Sequence, residues 1–293
     1  MRRRVVTIDP YLGEHIELAD FGHGRPRLLV VAGLHGNETT GVYVARRLAA
    51  FLQGAEPKGE VTIVAVSNPS AFRRLARSSP FDRLDLNRIF PGDRAGTPSQ
   101  RAAAAIWDEA GTADYVVDLH CCGPFSRSHI LAQYAEFGHA RQLAERLALP
   151  IAVASTGARG QLFVEVGHRG IPAVILELAG GGAFGEVSLE AGEEAFTALA
   201  GLLQSLGVIH GEPPEVRPCF YGRLVPLRPP VAGLFRPEVN PGDTVSKAQV
   251  VGRVEGEPVV ATTDGVLTVI RPVSYAFSGV PVALLAPGPV ADS

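Results

Sequence analysis

Lysine is almost missing from this chain: of 27 basic side chains only Lys58 and Lys247 are lysines. Basic excess is missing too, since the formal net charge is -3. A general nucleic-acid binder carries a surplus or patch of positive charge, so that class is excluded, and no nucleic-acid partner is expected. Cysteine is equally scarce. Cys121, Cys122 and Cys219 are the only three, and two of them are adjacent. They cannot build a disulfide framework, so a reduced, cytoplasmic setting is expected. No run of about 18 apolar residues exists, so no membrane span or membrane partner is expected. The start, Met1-Arg2-Arg3-Arg4, has the charge of a signal peptide. Thr7, Asp9, Pro10 and Glu14 interrupt the apolar stretch such a peptide needs. Internal repeats and low-complexity segments are absent as well.

What is present describes a globular chain of 293 residues, 46% hydrophobic and 19% charged, long enough for one large domain or two smaller ones. Short β-rich runs at 5–8, 14–18, 28–31 and 61–66 are followed by further strands at 115–119, 130–133, 151–154 and 173–178. Between them, helical spacing of apolar residues predicts helices over 39–54, 99–110, 136–147, 161–169 and 190–206. Strands alternating with helices predict an α/β fold, a mixed and largely parallel sheet flanked by helices. Residues 77–98 are irregular, and so long a connection within a compact domain usually carries function. After Gly211-Glu212-Pro213-Pro214 no helix is expected. Short β runs separated by turns such as Asn240-Pro241-Gly242-Asp243 predict a small all-β module. The expected division is residues 1–210 and 211–293.

Polar residues at strand ends carry the chemistry. Gly33-Leu34-His35-Gly36-Asn37-Glu38 closes an apolar strand and opens a helix, and places an imidazole and a carboxylate three residues apart. His120 ends another strand. Two imidazoles and one carboxylate are a common hydrolytic zinc set, which leaves a position for water. Read alone, a strand-end histidine is better explained as a satisfied polar residue. Asp118, two residues before His120, shares its side of the strand and can orient it. Cys121 points the other way. Glu177 sits inside the apolar run Ala173-Val174-Ile175-Leu176-Glu177-Leu178, where a carboxylate is costly unless it is paired or functional. A core arginine could pair it. Glu165 competes for its role from a helix. Arg88 beside Asn87 offers a fork for a carboxylate, or a partner for Asp82 or Asp85. His129, His139 and His168 show no ligand spacing.

Taken in order, Gly33-Leu34-His35-Gly36-Asn37-Glu38, Asn87-Arg88-Ile89-Phe90-Pro91-Gly92, Asp118-Leu119-His120 and Leu176-Glu177-Leu178 resemble the succinylglutamate desuccinylase/aspartoacylase family, a branch of the zinc carboxypeptidase-like hydrolases. The resemblance spans about residues 25–205. It implies one Zn²⁺ held by His35, Glu38 and His120, with Glu177 as general base. It also implies a grip by Asn87 and Arg88 on the carboxylate of a small-molecule substrate. Arg77, nine residues after Asn68, matches the family's oxyanion-stabilising arginine, although extra residues separate it from Asn87 and Arg73, Arg74 and Arg83 lie nearby. Arg159 falls where a specificity loop could lie, or on the surface. Tyr275 could reach the site as a C-terminal tyrosine does in some relatives, or could pack in a hairpin core.

The C-terminal module resembles the β-domain of many bacterial members and has a biotinyl/lipoyl-barrel look. Carrier domains need a lysine at a hairpin tip, and Lys247 lies elsewhere. A lid, a specificity wall or an oligomer contact is therefore expected, and a homo-oligomer is possible. The function implied is zinc-dependent deacylation of an N-acyl amino acid or related small amide. The rival readings are a metallocarboxypeptidase or peptide amidase using the same site, and an inactive zinc-binding regulatory protein.

Overall fold

The computed structural model describes residues 1–290. In chain order its elements are β1 (Arg2–Asp9), β2 (Glu14–Gly22), β3 (Arg27–Ala32), α1 (Thr39–Gln53), β4 (Glu60–Val64) and the short α2 (Pro69–Phe72). Next come α3 (Pro98–Ala110), β5 (Tyr115–Gly123), β6 (His129–Ala132), α4 (Gly138–Glu145), β7 (Ile151–Ala154), α5 (Leu162–Gly167), β8 (Ala173–Gly181), β9 (Glu186–Val187) and α6 (Leu189–Ser205). The C-terminal part adds β10 (Cys219–Tyr221), β11 (Val225–Leu227), β12 (Gly233–Pro237), β13 (Thr244–Val245), β14 (Val250–Val254), β15 (Glu257–Val260), β16 (Gly265–Ile270), β17 (Ser274–Ala276) and β18 (Ala283–Pro287).

Ten strands form one mixed sheet in the order β1-β2-β4-β3-β5-β8-β6-β7-β10, with β9 on β8. Its centre, β4-β3-β5-β8, is parallel. The run Leu28 to Ala32 is apolar throughout because both faces of this centre are covered. Even-numbered Val30, Ala32 and odd-numbered Val117, Leu119 face a core shared with α1, α4 and α6. Leu29, Val31, Val116, Ala173 and Ile175 face a second core under α3 and α5. The period of two therefore sends Asp118, His120 and Glu177 to the α3/α5 side. Helix α3 starts at Pro98 behind a Thr97–Gln100 capping box, one residue before the start the spacing predicts. No described helix is long and apolar enough to cross a membrane.

Beyond β10 the chain builds two four-stranded antiparallel sheets, β11-β18-β16-β13 and β15-β14-β12-β17. They share a core around Phe235, Val251, Leu267 and Leu285. The expected barrel-like all-β module is built from these two sheets around their shared core, with no strand pair joining the sheets among the described residues. The structure also returns residues 219–221 to the main sheet, where β10 pairs with β7 in parallel. The β-module is fastened there and at its far end. The Gly222 N–H donates to the Pro287 carbonyl (2.7 Å) and the Val290 N–H to the Phe220 carbonyl (2.7 Å). A third attachment lies at the segment after β5. Ser126 bridges Val269, the Arg127 N–H donates to the Thr268 carbonyl (2.8 Å) and the Ile270 N–H to the Phe125 carbonyl (3.2 Å). Ile151, Val153, Val266 and Ala286 form a small apolar cluster between the two parts.

Candidate active site

The loop after β3 turns sharply enough to place His35 and Glu38 together because two residues lack a Cβ. Gly33 has φ +66°, a left-handed conformation that favours glycine, and a Cβ on Gly36 would lie 2.1 Å from the Ala71 carbonyl carbon. Glu38 then stands at the N-cap of α1, yet its carboxylate makes no capping bond. It is turned towards two imidazoles. His35 Nδ1 lies 2.7 Å from Glu38 Oε1, and His120 Nδ1 lies 2.8 Å from Glu38 Oε2. The ring centroids are 5.0 Å apart. The Cys121 N–H also donates to Glu38 Oε2 (3.1 Å), while its thiol side joins the opposite core, as strand alternation requires.

The remaining ring nitrogens are held by carboxylates. His35 Nε2 is 2.9 Å from Asp85 Oδ1, and His120 Nε2 is 2.9 Å from Asp118 Oδ2. Asn87 Nδ2 lies 3.2 Å from the same His120 nitrogen, and Asn87 Oδ1 accepts from the Leu162 N–H (2.9 Å). This arrangement is a test of the metal reading. If each Nε2–H is given to its carboxylate, a neutral ring aims its Nδ1 lone pair at a carboxylate oxygen less than 3 Å away. Those lone pairs repel unless protons or a cation lie between them. Burial opposes charge on both rings. Their carboxylate neighbours outweigh it and hold both pKa values above the ordinary histidine range. Burial likewise favours neutral Glu38, but His120 and His35 overcome it and keep its carboxyl well below the usual range. One ligand atom from each of His35, Glu38 and His120 lies within 4.8 Å of the others, all buried. The set is built to share a positive centre, and its N, N and O donors fit zinc with one position left over.

Glu177 is paired in register with His120 across β5–β8 and with His129 across β8–β6. No arginine pairs with it among the described residues, so the structural partner allowed by the sequence is not present. Burial first, and then the Glu38 charge, push its carboxyl up to about 7, against the pull of the two histidines. A carboxyl poised there can take and return a proton near neutral pH. The competitor, Glu165, is bound by Arg159 (2.6 Å) and the Gly160 N–H (2.8 Å).

Arg77 reaches the cluster, 2.8 Å from Asp85 and 3.6 Å from Glu38, with its side chain 49% exposed. Arg88 donates to the Asn87 carbonyl (2.7 Å) and pairs with neither Asp82 nor Asp85; Asp82 accepts from Ser99 instead. Its fork is left for another acceptor. His35, Glu38, Arg77, Asn87, Arg88, His120 and Glu177 thus share one pocket of about 320 Å³. Two expected substrate contacts are not brought there. Arg159 is 77% exposed and spent on Glu165, because the loop before α5 folds back on its own helix. Tyr275 is 59% exposed on the edge strand β17, against Phe277, so it is neither in the pocket nor in a hairpin core. Asp85 was missed as a histidine partner. Its signal was its place two residues before Asn87, where it caps the 3-10 turn Leu86–Arg88.

His129 shares the site face but is shut in, with Nδ1 donating to the Arg127 carbonyl (2.9 Å) and Nε2 without a partner. Burial lowers its pKa to about 4. The folded protein then binds fewer protons there than the unfolded chain, so stability falls as pH drops from about 6.5 to 4, by order 3 kcal/mol at the limit. A His129→Gln protein should show a flatter stability-versus-pH curve in denaturant melts over that window. An identical slope would exclude His129 as its source.

A parallel-centred α/β sheet with a two-histidine, one-carboxylate cluster at the strand ends, and a carboxyl of raised pKa beside it, defines a metallohydrolase-like class. The model of the succinylglutamate desuccinylase/aspartoacylase catalytic domain matches residues 24–203. The chain belongs to that family, whose named members are deacylases, hydrolases of amide bonds. It is 30% identical over 247 residues to N-alpha-acetyl-L-2,4-diaminobutyric acid deacetylase of Halomonas elongata, covering 78% of this chain and 70% of that protein. It is 30% identical over 191 residues to succinylglutamate desuccinylase of Pseudomonas paraeruginosa, covering 61% of this chain and only 52% of that protein. A Rhodobacter sphaeroides succinylglutamate desuccinylase/aspartoacylase shares the fold, with TM-score 0.82 over 97% of this chain and 95% of that one, at 24% identity. The product-bound ectoine utilization protein EutE (DoeB) of Ruegeria pomeroyi superposes with TM-score 0.77 at 26% identity, over 94% and 89% of the two chains.

Proposed function

We propose that the protein is a zinc-dependent amide hydrolase that removes the acyl group from an N-acyl amino acid or a related small amide. The observation that carries this reading is the convergence of both Nδ1 atoms on the Glu38 carboxylate, with the unpaired Glu177 one strand away. Zinc held by His35, Glu38 and His120 would supply a Lewis acid that activates water and polarises the acyl carbonyl. Glu177 takes the proton of the attacking water and hands it to the departing amine. The Arg77 guanidinium, anchored by Asp85, faces the developing oxyanion. Arg88, steadied by the Asn87 carbonyl, holds the substrate carboxylate in its fork.

Small substrates are favoured over peptides because Val269 and Leu284 of the C-terminal sheets line the pocket. A panel of N-acyl amino acids and short peptides, run on zinc-loaded protein, tests the reading. Hydrolysis of the peptides alone would refute it. Arg88→Ala is expected to raise KM for a carboxylate-bearing substrate by about 10- to 100-fold with a smaller change in kcat. Steady-state kinetics against the matching substrate amide, which lacks that charge, should show no such penalty.

A further inference from the structure

The pocket lining contains two unlike groups. One holds the histidines, the carboxylates, Arg77, Asn87 and Arg88, with Gln161 and the two cysteines beside them. The other is Leu131, Ile175, Val269 and Leu284. These four are two cross-strand pairs. Leu131 lies opposite Ile175 in β6–β8, and Val269 opposite Leu284 in β16–β18. One pair comes from the main sheet and the other from the C-terminal sheets. The Ser126–Val269 bridge holds the second pair to the segment after β5, and both pairs line the same pocket.

The order of strands fixes which part of a substrate meets this wall. The ligand residues come from the loop after β3 and from β5, and Asn87 is tied to His120 on β5. Leu131 and Ile175 lie on β6 and β8, with Ile175 two residues before Glu177 on the same face. A scissile carbonyl beside Glu177 therefore has Arg88 on one side and the apolar wall on the other. If the amine side carries the carboxylate to Arg88, the acyl chain runs to the wall.

We propose, resting on the function above, that Leu131, Ile175, Val269 and Leu284 form the acyl subsite, and that it accepts a short uncharged aliphatic acyl group and rejects one bearing a carboxylate. Among the described lining residues the only lasting cations are Arg77 and Arg88. Arg77 is paired with Asp85, and Arg88 serves the other carboxylate. An acyl carboxylate would be desolvated against four apolar side chains with no cation left to pair with it.

The test compares butyryl and succinyl derivatives of the same amino acids, which match in length and differ in one carboxylate, with acetyl and propionyl derivatives alongside. Zinc-loaded protein should favour butyryl over succinyl by about 100-fold or more in kcat/KM. From acetyl to butyryl each added methylene should gain about three- to fourfold. Val269→Ala and Leu284→Ala should flatten that gain, and Val269→Arg should bring the butyryl/succinyl ratio down at least about tenfold. Each ratio is taken on one protein sample, so partial unfolding cancels. Calorimetric binding of the same pair to the Glu177→Gln protein gives the preference without turnover. Equal or better use of succinyl would overturn the inference while leaving deacylation intact. Wall variants that change only the dependence on the amino-acid side chain would overturn it equally. Failure of every derivative to bind or react would remove the deacylase reading itself and this inference with it.

Discussion

Glu177→Gln is expected to lower kcat by about a thousandfold or more while the protein still binds zinc. The side chain keeps its shape, and the Glu177 carboxylate holds up no ion pair among the described residues, so nothing structural is lost. Removing a charge that burial disfavours should leave the fold as stable or slightly more so. What disappears is a base. The pH profile follows from the same carboxyl. Its pKa is raised to about 7, and it works as a base only when ionised. Activity of the wild type should therefore fall as pH drops through that value, or through a lower one once a cation binds nearby. The residual rate of the Glu177→Gln protein should lack this acid limb. Metal content by mass spectrometry and single-turnover kinetics check both halves. Wild-type turnover in a zinc-loaded variant would sink the mechanism.

His120→Ala is expected to abolish tight metal binding and to destabilise the protein. The ring joins the Glu38 and Asp118 carboxylates, both buried. Its removal strips one donor from the metal, leaves Glu38 to His35 and Arg77, and leaves the Asp118 carboxylate buried without its partner, a change that typically costs about 3–5 kcal/mol. Asp118→Asn makes the milder test. The ring keeps a partner but loses the charge that orients it, and metal affinity should weaken by about 10- to 100-fold. Competition against a chromophoric chelator measures the affinities, and thermal melts with and without zinc measure the stability. If His120→Ala bound zinc as the wild type does, the ion would have to sit elsewhere. Unchanged affinity in Asp118→Asn would reduce that carboxylate to a packing residue.

Much of this site was readable in the sequence because strand ends advertise themselves. An apolar run that stops at glycine and continues into His35 and Glu38 leaves few places for those groups to go. A lone carboxylate in Ala173–Gly181 is conspicuous for the same reason: an apolar strand makes any charge expensive. The face was legible too, since alternation puts Asp118 with His120 and turns Cys121 away. Arg159 and Tyr275 were not legible. Their positions depend on how a loop folds back and which strand ends at a sheet edge, and neither follows from spacing. Asp85 was hidden by the irregular segment 77–98, where no period links a residue to a direction. The wall of Val269 and Leu284 was the least accessible, because it arises from pairing between parts of the chain more than a hundred residues apart. The β-only make-up of the C-terminal module was legible from its turns, which report where strands reverse but not which strands then pair.

The three fastenings of the C-terminal sheets also bear on motion. A flap needs a hinge line, and attachments at β10, at the Gly222–Pro287 and Val290–Phe220 hydrogen bonds and at the Ser126–Val269 bridge do not leave one. The roof over the pocket is therefore a fixed vault, and traffic in and out should depend on side chains such as the half-exposed Arg77 swinging aside. In hydrogen exchange, the amides of Arg127 and Ile270 should then open only with the fold as a whole, at the slow end of the protein's protection. Mobility in this enzyme would belong to single residues at the threshold rather than to the architecture above it.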